Sequence, residues 1–585
     1  MDSDDLNTAH QDQLISWCTH FDEKYGYPGV ERLASRYRDG QRCRGVLKVS
    51  GSFNLCVKVV FDDDQAWAVR FPVPGRVMHP EEKLRREVAV LRYIEHNTRI
   101  PVPTLIAFGS GLENEDPEVG PFVITTWVEG VSLQSLLEEL PRPKWGPVLR
   151  EDIDDEIFYK IYSQMADILL ELASTDFNKI GSLTMSKDNN QPTWSIVTRP
   201  LTIKMNEIES DDYVVVDDHT TPPFDNATDY MEHLLQQSTK HLYDQRNSIE
   251  DAEDARREFI VRRRMQALLP YFRSRYDSGP FKLYCDDIHP RNILVDSNTY
   301  QITAVIDWEW TYTAPQDFSY TIPSWLILEK PSAWIESSKT KFKKQTMLFT
   351  QALEEAERKR EQSLSPELLD EGRMSTAMRK SFEDGTFWFK QMLLSVHTFD
   401  GEVYWPRLEP YLEKRGLLDV GVPDEEEVQQ FVSRKMEDLE AYNKELEEKN
   451  KNKTNEQQIE SEVGWKNQLT GYANFDTTAV EAQDSQHVEP GIDSTSQPRN
   501  QANTSLCDRT DNEAASSVPS HTSTIADNQY IEQVSISAHD HADNAAADLA
   551  ELQPKVGGDK TTTTTQEIGR QRTWLETFPP SCVFN

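Results

Sequence analysis

Three oxygen-bearing side chains stand at short intervals in FKLYCDDIHPRNILVDSNTYQITAVIDWEW, residues 281–310. They are Asp287, Asn292 five positions on, and Asp307 beyond the next apolar run. FKLYC, ILVD and ITAVID read as short strands, so the polar DDIHPRN cluster lies in a loop between the first two. Transfer of a phosphoryl group from a nucleotide needs such a set. One carboxylate, Asp287, holds an acceptor hydroxyl in line and takes its proton. An amide and a second carboxylate, Asn292 and Asp307, supply the hard oxygen ligands that Mg²⁺ requires. Of the neighbours, Asp286 reads as a loop-shaping residue and His289 as a hydrogen-bond partner within the loop. Cys285 reads as a small buried side chain rather than a nucleophile.

A second group precedes these. SGSFNLCVKVVFDDDQAWAVRFP is a turn between two strands followed by a third. Gly51 and Ser52 in that turn are expected to face a nucleotide phosphate with backbone N–H groups. Arg70 interrupts the apolar strand AWAVRFP, and Glu87 lies in the helix PEEKLRREVAVLRYIEHN, marked by Leu84, Val88, Leu91 and Ile94. A strand cation paired with a helix glutamate is one way to hold nucleotide phosphates.

These residues need a frame. Residues near 45–130 are rich in β-branched and aromatic runs, whereas the text after about 150 turns helical, as in DEIFYKIYSQMADILLELAS and DAEDARREFIVRRRMQALLPYFRSRY. A small strand-rich lobe followed by a larger helical one is a bilobal α+β architecture. We divide the chain into an N-terminal segment and nucleotide-binding lobe (14–130), a helical catalytic and substrate lobe (131–449) and an acidic tail (450–585) expected to be disordered. Just before the tail, Val428, Phe431, Val432, Met436, Leu439 and Leu446 predict an amphipathic helix packed on the domain. The long segment around TWSIVTRPLTIKMNEIESDDYVVVDDHTTPPF is expected to shape the acceptor site.

Composition narrows the classes further. A formal charge of −37 disfavours nucleic acid as a partner. No apolar run reaches the roughly 20 residues of a membrane helix, the first residues lack the pattern of a signal peptide, and the six cysteines show no pairing rhythm. A cytoplasmic protein is expected. Cys582 stands fourth from the end, but Asn585 and the lack of an upstream basic stretch make that spacing read as chance. Nothing in the sequence assigns an oligomeric state.

The motifs together resemble the aminoglycoside phosphotransferase family, which has a protein-kinase-like fold. CDDIHPRN and VIDWEW stand where that family carries HGDxHxxN and an IDW strand. KLRREVAVLRYIEHNTRIPVP, RPLTIKMNEI and DWEWTYTAPQDFSYTIPSWLILEKPSAW are similar to a fungal branch of it. The resemblance implies ATP and Mg²⁺ as cofactors, with Asp287 as catalytic aspartate and Asn292 and Asp307 as metal ligands. It implies Arg70 in place of the phosphate-pairing lysine, with Glu87 its helix partner. TTWVEG would be the linker between lobes, where Trp127 and Val128 meet adenine with backbone groups. The implied activity moves the ATP γ-phosphate to a hydroxyl of a small molecule. Glu309, Asp317 and the acids of the long segment would favour a cationic acceptor. Arg70 for lysine, and Cys285 and Asp286 for the usual His and Gly, open the alternative of a catalytically weak nucleotide-binding or interaction module.

Overall fold

The computed structural model describes residues 3–473 apart from 145, 189–190, 213–219, 274, 362–372 and 396–402. Residues 1–439 belong to one compact unit. Its small lobe opens with α1 (Ser3–His20) and α2 (Gly26–Arg36). Five antiparallel strands follow: β1 (Cys43–Ser50), β2 (Asn54–Phe61), β3 (Ala66–Pro72), β4 (Leu105–Gly109) and β5 (Phe122–Thr126), in the spatial order β1-β2-β3-β5-β4. Helix α3 (Pro80–Asn97) lies between β3 and β4 in the chain and packs Leu84 and Val88 against Leu105 and Val123 of the sheet. The opposite side is closed by α1 and α2, whose Trp17, Phe21, Tyr25 and Leu33 join Val57, Val69 and Phe71 in one core. Burying each such side chain is worth about 1.5–3 kcal/mol.

The large lobe begins with β6 (Val131–Ser132), α4 (Leu133–Leu137) and α5 (Asp155–Leu172). The segment expected at the acceptor site forms a hairpin, β7 (Ser182–Asp188) and β8 (Gln191–Thr198), then α6 (Ile203–Asp212). Helices α7 (Ala227–Asp244) and α8 (Ala252–Phe272) lead to β9 (Lys282–Cys285), β10 (Ile293–Val295), β11 (Ile302–Val305) and β12 (Thr311–Ala314). Beyond these come α9 (Gln316–Ser319), α10 (Glu336–Glu361), α11 (Met374–Glu383), α12 (Thr386–Leu394), α13 (Trp405–Lys414) and α14 (Glu425–Ala473).

Strand pairing brings the two chemistry-bearing loops side by side. β10 pairs with β11 and β6, whereas β12 folds back onto β9. The loop after β9 carries Asp287 and Asn292, and the loop between β11 and β12 carries Asp307. The Asp286 N–H donates to the Trp310 carbonyl at 3.1 Å and the Ile306 N–H to the Asn292 carbonyl at 2.9 Å, so the loops are stitched at both ends.

The start of α14 packs as its spacing predicts. Val428 and Phe431 are buried against Leu242, Ile249 and Phe259, and the Phe259 and Phe431 rings stack at 4.6 Å. The helix backbone then runs on to Ala473, past the boundary drawn at 450. The stretch after 450 is rich in Lys, Glu and Gln, which lose little rotamer freedom in a helix. The rest of the expected disordered tail, from 474, lies outside the described residues. No helix among the described residues is long and apolar enough to cross a membrane. None of the four described cysteines, Cys18, Cys43, Cys56 and Cys285, forms a disulfide.

Candidate active site

One cleft lies between the lobes, and Gly51, Ser52, Arg70, Glu87, Trp127, Val128, Asp287, Asn292 and Asp307 all line it. Ala68 of β3, Leu294 of β10 and Ile306 give it apolar walls beside the linker at 125–128. Such walls suit a flat ring, with polar groups fixing its orientation.

Not every backbone group is disposed as the sequence suggests. The Trp127 N–H donates to the Ala66 carbonyl at 2.9 Å, because β3 and β5 continue their ladder one residue past Thr126. Trp127 therefore has only its carbonyl to offer a base, and the N–H on that side of the linker is Val128's. The Gly51 N–H likewise closes the hairpin turn on the Asn54 carbonyl at 2.7 Å and is withdrawn from a phosphate.

In the large lobe, Asn292 Nδ2 donates to the Asp287 carbonyl at 3.0 Å and to Asp287 Oδ2 at 2.9 Å. Arg291 reaches the other carboxylate oxygen at 3.4 Å. Burial pushes the Asp287 carboxyl above its ordinary range against the pull of Arg291. His289 is held well below its usual value by burial and by Arg291 and Lys330, so it is neutral. Its Nδ1 accepts from the Arg291 N–H at 3.4 Å, a loop-fixing role that needs the neutral ring. Asp307 has φ +58°, a left-handed conformation that Asp tolerates better than most residues. Backbone strain of this kind gathers at functional sites.

From the small lobe, Arg70 grips Glu87 with one guanidinium nitrogen and Asp307 with the other. Burial raises the Asp307 carboxyl, with Arg70 opposing. Glu87 is buried, and Arg70 joins it to a large-lobe acid. Removing this one cation would leave two acids without it. Arg70→Ala is therefore expected to cost about 3–5 kcal/mol, measured by urea unfolding; Arg70→Lys should recover part of this, since it restores charge without the fork.

A second cation went unread in the sequence. Lys83 lies one helical turn before Glu87 and pairs with Glu309, while Asn54 Nδ2 donates to Glu309 at 2.6 Å. Both charges are buried, Lys83 at 1% and Glu309 at 3% exposure. Lys83 and Arg70 hold the Glu309 carboxyl below its ordinary value although burial opposes them. Glu309 thus has its counter-charge already and is not the open acidic face expected for a cationic acceptor. The signal was present: positions four apart share a helical face, so Lys83 had to point with Glu87.

Behind the loop, Asp286 accepts from the Tyr312 hydroxyl at 3.0 Å and from the Ile203 N–H at 3.3 Å. Burial lifts its carboxyl to about 7, and burial brings nearby Lys390 down to about 7. Between 3.8 and about 7 the folded chain keeps an Asp286 proton that the unfolded chain loses, so this contribution to stability falls as pH rises. Between about 7 and 10.5 the unfolded chain holds a Lys390 proton that the folded chain lacks, so that contribution rises with pH. Urea unfolding of Lys390→Met at pH 7 and pH 9 should show the upper rise removed relative to the native chain.

The donor set suits magnesium. With Asn292 Nδ2 turned to Asp287, its amide oxygen is the coordinating atom, and Asp307 adds a carboxylate. Both are hard oxygens, and Mg²⁺ usually keeps water and phosphate as its other ligands. Among the described residues no three His, Cys, Asp or Glu side chains form a metal cluster, so a nucleotide's oxygens would have to complete this one.

With this geometry in place, the comparisons can be read. Residues 50–320 match the phosphotransferase enzyme family model. The fold is that of the kinase-like phosphotransferases. The match ends after β12 and includes both loops and the whole cleft. The chain is 27% identical over 286 residues to the clavilactone A biosynthesis cluster protein Y of Ampulloclitocybe clavipes, covering 47% of this chain and 62% of that one. It is 28% identical over 148 residues to the altered inheritance of mitochondria protein 9 of Zygosaccharomyces rouxii, covering 24% of this chain and 22% of that one. The kinase-like chain thus spans less than two thirds of either relative. A Plasmodium vivax ethanolamine kinase overlays 69% of this chain and 82% of its own, at 12% identity and TM-score 0.32. A macrolide 2′-phosphotransferase from Brachybacterium faecium overlays 68% and 99%, at 13% identity and TM-score 0.32. Overlays at this level carry no argument; the family match and the cleft do.

Proposed function

We propose that the chain transfers the γ-phosphate of ATP to a hydroxyl of a small molecule. The observation that carries this reading is the convergence of Asp287, Asn292 and Asp307 with the Arg70–Glu87 pair on one interlobe cleft. The apolar walls and the 125–128 linker would hold the adenine. Arg70 would meet the phosphates from the small lobe. Asn292 and Asp307 would hold a magnesium ion, which when bound neutralises phosphate charge. Asp287 accepts the acceptor's hydroxyl proton as the new O–P bond forms and the bond to the departing ADP oxygen breaks. The protein's share is positioning and charge neutralisation, without a covalent intermediate. Purified chain incubated with Mg²⁺, ATP and a panel of amino alcohols, aminoglycosides and sugars should release ADP with at least one acceptor.

A second reading, a weak nucleotide-binding module, is favoured by the direct Arg70–Asp307 ion pair, which occupies a metal-ligating carboxylate. ATP binding without turnover of any acceptor would select it. We further place the chain in the fungal branch and in the cytoplasm. The match to the Ampulloclitocybe protein supports the first, and cysteines without disulfides support the second.

A further inference from the structure

Residues 182–212, the β7–β8 hairpin and α6, sit between β12 and α7 in the chain's large-lobe half, yet many of their polar contacts are to α3, the helix that carries Glu87. Arg199, 1% exposed, places both guanidinium nitrogens on the Glu82 carboxylate at 2.8 and 3.2 Å. The Trp194 indole N–H donates to the Ala89 carbonyl at 3.1 Å. At the start of the helix, Asn206 accepts from the Met78 N–H and donates to the Arg76 carbonyl, each at 3.0 Å. These contacts sample α3 from its entry to its middle. A simple surface insertion would not need a buried two-pronged arginine on one helix.

The same segment reaches the other mobile part of a nucleotide site. Phe53, next to Ser52 in the hairpin turn, packs with Leu201, Met205 and Trp310, its ring 5.1 Å from that of Trp310. At its far side the segment is fastened to the catalytic loop, where the Ile203 N–H meets Asp286. One stretch of chain therefore touches the turn, the helix and the loop that must agree in position for Arg70, Glu87 and Asp307 to meet.

We infer that residues 182–212 are an internal clamp that holds α3 and the 51–53 turn in the closed arrangement, and that Arg199 is a positioning residue acting through Glu82 on Glu87. The clamp deepens the phosphotransferase reading and rests on it for its effect on rate, but the hold on α3 is a separate, measurable property. It makes the active arrangement a permanent feature of the fold, with no partner or modification needed to swing the helix in.

Amide hydrogen exchange on the full chain tests the hold directly. Arg199→Ala should raise exchange of α3 amides by about tenfold or more while α5 keeps its protection. Unchanged protection of α3 would overturn the clamp. Should Arg199→Ala fail to fold, Arg199→Lys, which lacks the fork, and Trp194→Phe, which lacks the indole N–H, give the same reading in milder form. Turnover tests the route. Arg199→Ala should lower kcat by up to about 100-fold with a smaller change in KM, the scale of a displaced reactive geometry. The double variant with Glu87→Gln should be no slower than Glu87→Gln alone; additive losses would refute action through Glu87. A native chain that turns over no acceptor would defeat the phosphotransferase reading, and the exchange result alone would then decide the clamp.

Discussion

Replacing Asp287 with asparagine is expected to lower phosphoryl transfer by about 10²–10⁴-fold, the usual worth of a positioned base, while ATP affinity stays within a few-fold. The reasoning is geometric. Asp287 touches Asn292 and Arg291 and is not the partner of Arg70, so removing its charge leaves the cation and the Asp307 carboxylate in place. Asparagine keeps an oxygen to accept from Asn292 Nδ2, which spares the loop. The pH profile supplies a second reading. Burial raises the Asp287 carboxyl, so the acid limb of kcat/KM in the native chain should lie above the ordinary carboxylate range and activity should climb as the proton leaves. Steady-state ADP release and equilibrium nucleotide titration check both halves. Full turnover in Asp287→Asn would remove the base from the mechanism.

Asp307→Ala should instead abolish the magnesium dependence of nucleotide binding. The loss should exceed the roughly 10–100-fold that an outer-shell partner alone costs a metal site, because a ligand itself is gone. The consequence for Arg70 is opposite in kind. Freed from Asp307, it retains Glu87 and can turn wholly to a phosphate, so metal-free binding of ATP should be preserved or modestly tightened. Titrations with and without Mg²⁺ separate the two effects. Equal loss in both would mean that Asp307 serves only the fold. The two variants together also discriminate the readings of the whole protein. An enzyme loses turnover in Asp287→Asn with binding kept, whereas a binding module has no turnover to lose and shows its defect in Asp307→Ala alone.

Much of the site was legible because the relevant signals are local. Asp287 and Asn292 belong to one loop, five positions apart, and short apolar runs on either side mark the strands that hold it. Arg70 stood out as a charge within an apolar strand, and Glu87 as an acid on a helix whose apolar stripe is unmistakable. The strand-rich then helical text likewise gives a bilobal α+β arrangement, because each element must bury its own apolar face.

What the sequence could not supply is which groups already have partners. That depends on contacts between residues far apart in the chain. The Trp127 N–H is tied to Ala66 by strand pairing, and Glu309 is neutralised by Lys83, 226 positions away. The segment at 182–212 reads as generic polar text, and only folding shows Arg199 buried on Glu82. Residue type and spacing thus settle which chemistry a loop can do. Long-range packing and the pairing of buried charges settle which of those groups remain available to do it, because desolvation forces every buried ion to find a counter-charge, wherever in the chain it lies.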